Sequence, residues 1–323
     1  MHTIEFPRTD DLCSRLAFGT GRLGRGDLAN VEATIRTAYE EGIRHFDSSV
    51  GYDNAVPHAA LARLLRDVPA DDVFISTKIG HFRPTFPGYR ELYRNADVLW
   101  GMVHECHRML LGRIDLLQIH EADTRFWWDP DAREEKPTFM APDADYDFAN
   151  AAVTGVIARA KAEGVCRYVG ATGNSARELA HAVGHLDVDT VMCAYNLDPI
   201  LRGAVTHVAP VARKQGLLFM AAGVLQGGAY REPLDPPARL TRLPEAGERF
   251  ARFHRIQQEA GLSAVELLLR WALSVEEVDR WVLGASRPEQ VEQTMAILRK
   301  GALPADLRTA LSELALPEAS NLP

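Results

Sequence analysis

Short apolar runs alternate with amphipathic segments along most of this chain. The runs at residues 16–18, 44–47, 73–78, 114–120, 168–171, 190–195, 217–221 and 281–284 read as buried strands, because each is brief and bounded by turn residues. Between them, apolar positions recur with a helical period at 30–41, 58–65, 95–111, 147–163, 175–183, 208–214, 249–260, 263–273 and 288–298. This alternation predicts an α/β protein whose eight strand–helix pairs close into a (β/α)₈ TIM barrel. At 323 residues the length would allow two domains, but barrels of this size are routinely one, so a single domain over 1–323 is expected. Two long connections, about 121–146 and 223–244, leave strand C-termini and should lie on the active-site side. A tail from about 304 to 323 is expected to be partly loose.

Four polar residues end or follow the early strands: Asp47, Tyr52 five positions on, Lys78 and His120. In a parallel barrel, strand C-termini converge on one face. A carboxylate, a phenol, an ammonium and an imidazole are thereby brought together, a set suited to acid–base work on a carbonyl or alcohol. Taken singly, each has a plainer reading as a turn residue, a solvated lysine or a core histidine. Asp53, Asp115 and Asp123 read as turn or capping residues, and His58, His104 and His107 as helix-surface residues.

The order and spacing of the four residues resemble the aldo-keto reductases, over about Leu16 to Ile297. The resemblance implies an NADP-dependent oxidoreductase, with NAD possible, acting on an aldehyde, ketone or sugar-like substrate. Tyr52 is then the general acid in reduction and the base in oxidation, Lys78 favours its ionised form, Asp47 holds Lys78, and His120 orients the substrate oxygen. The resemblance also places cofactor contacts at Gly19, Thr20 and Gly21, at Thr172, Gly173 and Asn174, and at Gly223 and Leu225. The segment Gly284, Ser286, Arg287, Gln290 and Thr294 opens the last helix, where free N–H groups favour phosphate, and Arg287 could pair with a 2′-phosphate.

Several positions depart from the family pattern. Thr172-Gly173 replaces Ser-Asn, Met192 a Gln, Ala222 a nicotinamide-stacking Tyr, and Thr294 an Asn. The chemistry residues are thus better matched than the cofactor shell, which keeps open an alternative, a cofactor-binding regulatory protein with vestigial catalysis. Gly19-Thr20-Gly21-Arg22-Leu23-Gly24 also fits a G-x-G-x-x-G dinucleotide fingerprint. Helix periodicity begins only near Asn30, however, and that reading leaves the four polar residues unexplained.

Composition changes little in this picture. With 46% hydrophobic and 25% charged residues the chain is ordinary for a globular protein. A formal charge of -8 argues against nucleic acid or an anionic membrane as partner; the small-molecule carbonyl or alcohol substrate is what the resemblance implies. Cys13, Cys106, Cys166 and Cys193 have no zinc spacing, so no metal is expected, and the apolar or helical surroundings of Cys106, Cys166 and Cys193 suggest reduced, buried thiols in a cytoplasmic protein. The N-terminus does not read as a signal peptide, and no run reaches the roughly 18 apolar residues of a membrane span. Trp127 and Trp128, just behind His120, are expected to form an exposed wall of the substrate pocket.

Overall fold

Eight parallel strands each pair with the next, and the last returns to the first, closing a barrel in the order β1 to β8. The strands of this computed structural model are β1 Leu16–Gly19, β2 His45–Asp47, β3 Phe74–Ile79, β4 Leu116–Ile119, β5 Tyr168–Gly173, β6 Thr190–Ala194, β7 Leu218–Ala222 and β8 Arg280–Leu283. Leu16 opposite Trp281 begins the closing seam. The structure describes residues 15–23, 27–82, 88–141, 143–230 and 245–316. Cys13, Gly24 and the segments 231–244 and 317–323 therefore lie outside the described residues.

The helices are α1 Leu28–Glu40, α2 Val56–Asp67, α3 Tyr89–Leu92, α4 Ala96–Met109, α5 Ala152–Ala162, α6 Ala176–Val183, α7 Ala209–Gln215, α8 Ala246–Ala260, α9 Ala264–Ala272, α10 Pro288–Leu298 and α11 Ala305–Ser312. Their starts are chemically marked. Asp27, Asn95 and Ser263 accept backbone N–H groups at the first turns of α1, α4 and α9. Proline stands in the first turn of α10, where its missing N–H costs nothing.

Strand alternation divides the core in two. Outward residues such as Phe18, Phe46, Ile75, Ile119, Phe219 and Trp281 meet the helices in one large cluster. Inward, Ala17, Phe74, Leu116, Met192, Leu218, Met220 and Val282 form a second, smaller cluster. His45, Asp47, Ser76, Lys78, Gln118 and Arg280 occur on alternate positions of the same strands and are buried polar residues.

One expectation is corrected, at His58. Within the tail, α11 forms, Leu311 and Leu314 are buried, and the Leu316 N–H donates to the Ile200 carbonyl at 2.9 Å, while 317–323 lie outside the described residues. A bridge between Thr124 and Phe139 ties down the 121–146 connection. His58 is fully buried in α2, its ring between the Ser48 hydroxyl at 3.2 Å and the Thr77 hydroxyl at 2.9 Å. Its surface reading failed because a helical register does not identify the neighbours that cover it. Cys106, Cys166 and Cys193 are buried free thiols, and burial pushes the Cys106 thiol up to about 11. No helix among the described residues is long and apolar enough to cross a membrane. Nor do any His, Cys, Asp or Glu there form a group able to hold a metal ion.

Candidate active site

The four sequence-predicted polar residues meet at the C-terminal mouth of the barrel. Lys78, from β3, is 1% exposed. Its Nζ donates to Asp47 Oδ2 at 2.5 Å and to the Ser48 carbonyl at 2.9 Å. The same Nζ stands 4.8 Å from the centre of the Tyr52 ring. His120 follows β4 and meets the Tyr52 ring edge-on, with centroids 5.4 Å apart. The other Asp47 oxygen, Oδ1, accepts from Ser76 Oγ at 2.8 Å and Gln118 Nε2 at 2.9 Å. The carboxylate is thus fully engaged, as a buried charge must be.

Burial and neighbouring charge oppose each other here. Burial raises the Tyr52 phenol above its ordinary value, Lys78 pulls it down, and Asp47 adds to the rise. The expected preference for phenolate is therefore outweighed by desolvation, and Tyr52 holds its proton. Burial disfavours the Lys78 ammonium, but Asp47 and Tyr52 together raise its pKa above the ordinary value. His120 is pushed well below the usual imidazole range by burial, then by Lys78 and His81, so it is neutral at physiological pH.

Residues that sequence reasoning missed surround this centre. Ser49 Oγ lies 3.3 Å from His120 Nδ1 and accepts the Gly51 N–H at 3.1 Å. His81 stacks on His120 with centroids 4.8 Å apart, and its Nδ1 is 3.1 Å from Glu121 Oε2. His81 and Glu121 adopt positive φ, 57° and 54°, although neither is glycine. Such strain collects at functional sites. The one sequence signal was their place directly after strands. Trp127 and Trp128 depart from expectation, since each is only 3% exposed. Their indole N–H groups donate to the His120 and Ala122 carbonyls at 3.0 and 2.8 Å, and Trp128 packs on Phe148. The exposed aromatic wall is corrected to two buried braces behind His120, because a loop folded on itself can satisfy both N–H groups internally.

The profile of the Aldo/keto reductase family matches residues 15–315. The chain belongs to this family. It is 26% identical to a D-threo-aldose 1-dehydrogenase from a Pseudomonas species, over 88% of this chain and 87% of that one. It is 24% identical to the NADH-specific methylglyoxal reductase of Escherichia coli K12, over 98% of both chains. An aldo-keto reductase from Bacillus halodurans, solved in its holo form, superposes with a TM-score of 0.71 over 95% of each chain at 18% identity. The barrel is thus the family's fold, and the protein is an oxidoreductase of a family that uses nicotinamide cofactors.

The residues that could hold such a cofactor sit on the ends of β1, β5, β7 and β8. A Cβ at Gly284 would stand 3.1 Å from the Gly19 carbonyl oxygen, and one at Gly21 3.4 Å from the Tyr52 ring. These glycines let the backbone come close to a ligand. Thr20 is buried and donates its hydroxyl to Ser48 Oγ at 2.9 Å. Thr172 donates its hydroxyl to the Ile119 carbonyl at 3.2 Å, which occupies the group expected to hold the nicotinamide amide. A Cβ at Gly173 would come 2.9 Å from the Asp123 carboxyl carbon. Asn174 donates its amide to Glu121 Oε1 at 3.1 Å, which ties this turn to the one after β4. Gly223 has φ 77°, and a Cβ there would lie 2.7 Å from the Tyr195 ring. An aromatic ring thus stands beside Gly223, next to Ala222, but it comes from the end of β6. Leu225 is half-buried in the following turn.

At the start of α10, Ser286 N and Oγ both lie 2.9 Å from Gln290 Oε1 as donors, so Gln290 turns back on the helix start. Arg287 is 62% exposed and lies 3.6 Å from Glu289. Thr294 lies one turn further along α10 and is half-buried. The residues present fit a dinucleotide: close glycine backbone near Tyr52, and the Arg287 cation at a helix start for its phosphate end.

Proposed function

We infer that this protein interconverts a small polar carbonyl compound, an aldehyde, ketone or sugar-like molecule, and its alcohol, with NADP(H) as the favoured cofactor and NAD(H) also accepted. The observation that carries the reading is the buried Lys78 ammonium between the Asp47 carboxylate and the Tyr52 phenol. Tyr52 gives its proton to the carbonyl oxygen in reduction and takes it back in oxidation. Lys78 stabilises the phenolate left behind, and Asp47 keeps Lys78 charged and fixed. Neutral His120 orients the same oxygen and leaves the proton with Tyr52. A bound nicotinamide supplies or accepts the hydride at the carbonyl carbon.

His81, Glu121 and Asn174 beside His120 make the neighbourhood polar and support a hydroxylated substrate. Relatives named as an aldose dehydrogenase and a methylglyoxal reductase support the same class. Arg287 supports NADP(H) through its charge, and Glu289 beside it weakens discrimination against NAD(H). The test follows NADPH and NADH absorbance against a panel of aldoses, short aldehydes and ketones. Turnover that is lost in Tyr52→Phe is expected. Cofactor binding with no turnover of any carbonyl or alcohol overturns this reading in favour of a binding protein.

A further inference from the structure

The catalytic carboxylate is the last acceptor of a buried hydrogen-bond chain that begins at the opposite end of the barrel. Arg280 opens β8 and His45 opens β2, and both are buried, at 4% and 3% exposure. Arg280 Nη1 lies 2.9 Å from His45 Nδ1, His45 Nε2 lies 2.9 Å from Ser76 Oγ, and Ser76 Oγ lies 2.8 Å from Asp47 Oδ1.

The direction of this chain follows from its first member. A guanidinium only donates, so His45 Nδ1 accepts and carries no proton. The proton of the neutral ring is then on Nε2, which donates to Ser76 Oγ. That leaves the Ser76 hydroxyl proton for Asp47 Oδ1. Burial, then Arg280 and Lys78, lower the His45 pKa well below the usual imidazole range, in keeping with a neutral ring. Every proton in the chain points at Asp47.

We propose that Arg280 and His45 are positioning residues for proton transfer at Tyr52, acting through Ser76 and Asp47. The proposal rests on Tyr52 being the proton donor. Donors aimed at Asp47 Oδ1 draw negative charge from the oxygen facing Lys78, so more of the ammonium's field reaches Tyr52. Tyr52 is faced by Lys78 from β3, Asp47 from β2, His120 after β4 and Tyr195 after β6. Asp47 is faced by Lys78, Ser76 and Gln118. Of the groups in the chain that end on Asp47, only Arg280 and His45 lie at the strand starts, remote from the mouth.

The experiment compares Arg280→Met, His45→Leu, Ser76→Ala and His45→Gln with wild type, after thermal melts have shown each to be folded. The first three are expected to lose about ten-fold in kcat with KM changed less than two-fold, the pattern of a lost transition-state interaction. Their Tyr52 titration should move up by about one pH unit, since that shift is the same ten-fold in equilibrium form. His45→Gln should restore both, because its amide oxygen accepts from Arg280 and its amide nitrogen donates to Ser76. Tyr52 is titrated by NMR on ring-labelled tyrosine in the cofactor-free protein, with Tyr52→Phe for assignment. This readout does not need turnover, so failure to reduce any carbonyl would remove the proposed function while the titration still decides the relay. If His45→Leu does not fold, Ser76→Ala decides. A Tyr52 titration unmoved in Ser76→Ala and Arg280→Met overturns the proposal, as does a His45→Gln variant no better than His45→Leu.

Discussion

The β2–β4 side of the barrel mouth and the β5–β8 side are built on different rules. On the first, Lys78, Gln118 and Ser76 each donate a side-chain hydrogen bond to Asp47. On the second, the positions expected to seat the cofactor are glycines, small residues and groups already bonded to backbone, such as Thr172 and Gln290. A proton in transit needs particular atoms in particular places, so the first side tolerates little change. A cofactor gripped by backbone and shape tolerates many side chains. This difference accounts for a matched tetrad beside Met192, Ala222 and Thr294.

The largest effect should come from the first side. Tyr52→Phe is expected to lower kcat by about 10²–10⁴-fold with the fold intact. More than half of the wild-type kcat in a pure preparation would break the comparison at its strongest point. Behind His120, Trp128→Ala should lower unfolding stability by about 3–5 kcal/mol, as for other buried aromatics. Denaturant melts measure this, and a stability loss below about 1 kcal/mol would return Trp128 to a pocket surface.

His58 supplies a pH test of the same sector. Burial lowers its pKa from 6.5 to about 4. The folded value is below the unfolded one, so the unfolded chain binds the proton first as pH falls. Stability from this group is whole above about pH 6.5 and is lost as pH drops through about 4. His58→Gln should shrink the acid-side loss by on the order of 3 kcal/mol. His45 and His120 are also lowered, so the slope flattens rather than vanishes. An unchanged slope would mean His58 is not buried neutral.

The smallest effects belong to the cofactor side. Arg287→Ala should weaken NADPH binding by about 1–3 kcal/mol and NADH binding far less. Glu289→Ala should shift preference toward NADPH by a few-fold, because it removes the acid 3.6 Å from Arg287. Fluorescence titration with both cofactors reads each variant. Equal losses for both cofactors in Arg287→Ala would mean that the guanidinium does not read the 2′-phosphate.

Much of this was legible in the chain. The ends of all eight strands fall within two residues of the expected ones, and the closing helix spans the expected 288–298. The helix expected from 147 begins at Ala152 instead, after a turn in which Asp147 accepts from the Asn150 N–H and side-chain amide. Asp123 was read as a turn or capping residue. It is buried and accepts the Asn174 and Ser175 N–H groups at 2.6 Å, and burial raises its carboxyl to about 7. The burial of the tryptophans and of His58 was not legible because the atoms that cover them come from other segments.

The sequence by itself determined the barrel, the tetrad and the family, because strand period, strand number and the spacing of residues at strand ends are local properties. Tertiary structure alone decided what each side chain touches. Arg280 and His45 are 235 positions apart and meet only because β8 closes on β1 beside β2. His81 reaches His120 and Glu121 only because β3 and β4 end side by side. Hydrogen bonding and desolvation depend on neighbours in space, and a closed barrel draws those neighbours from its whole length.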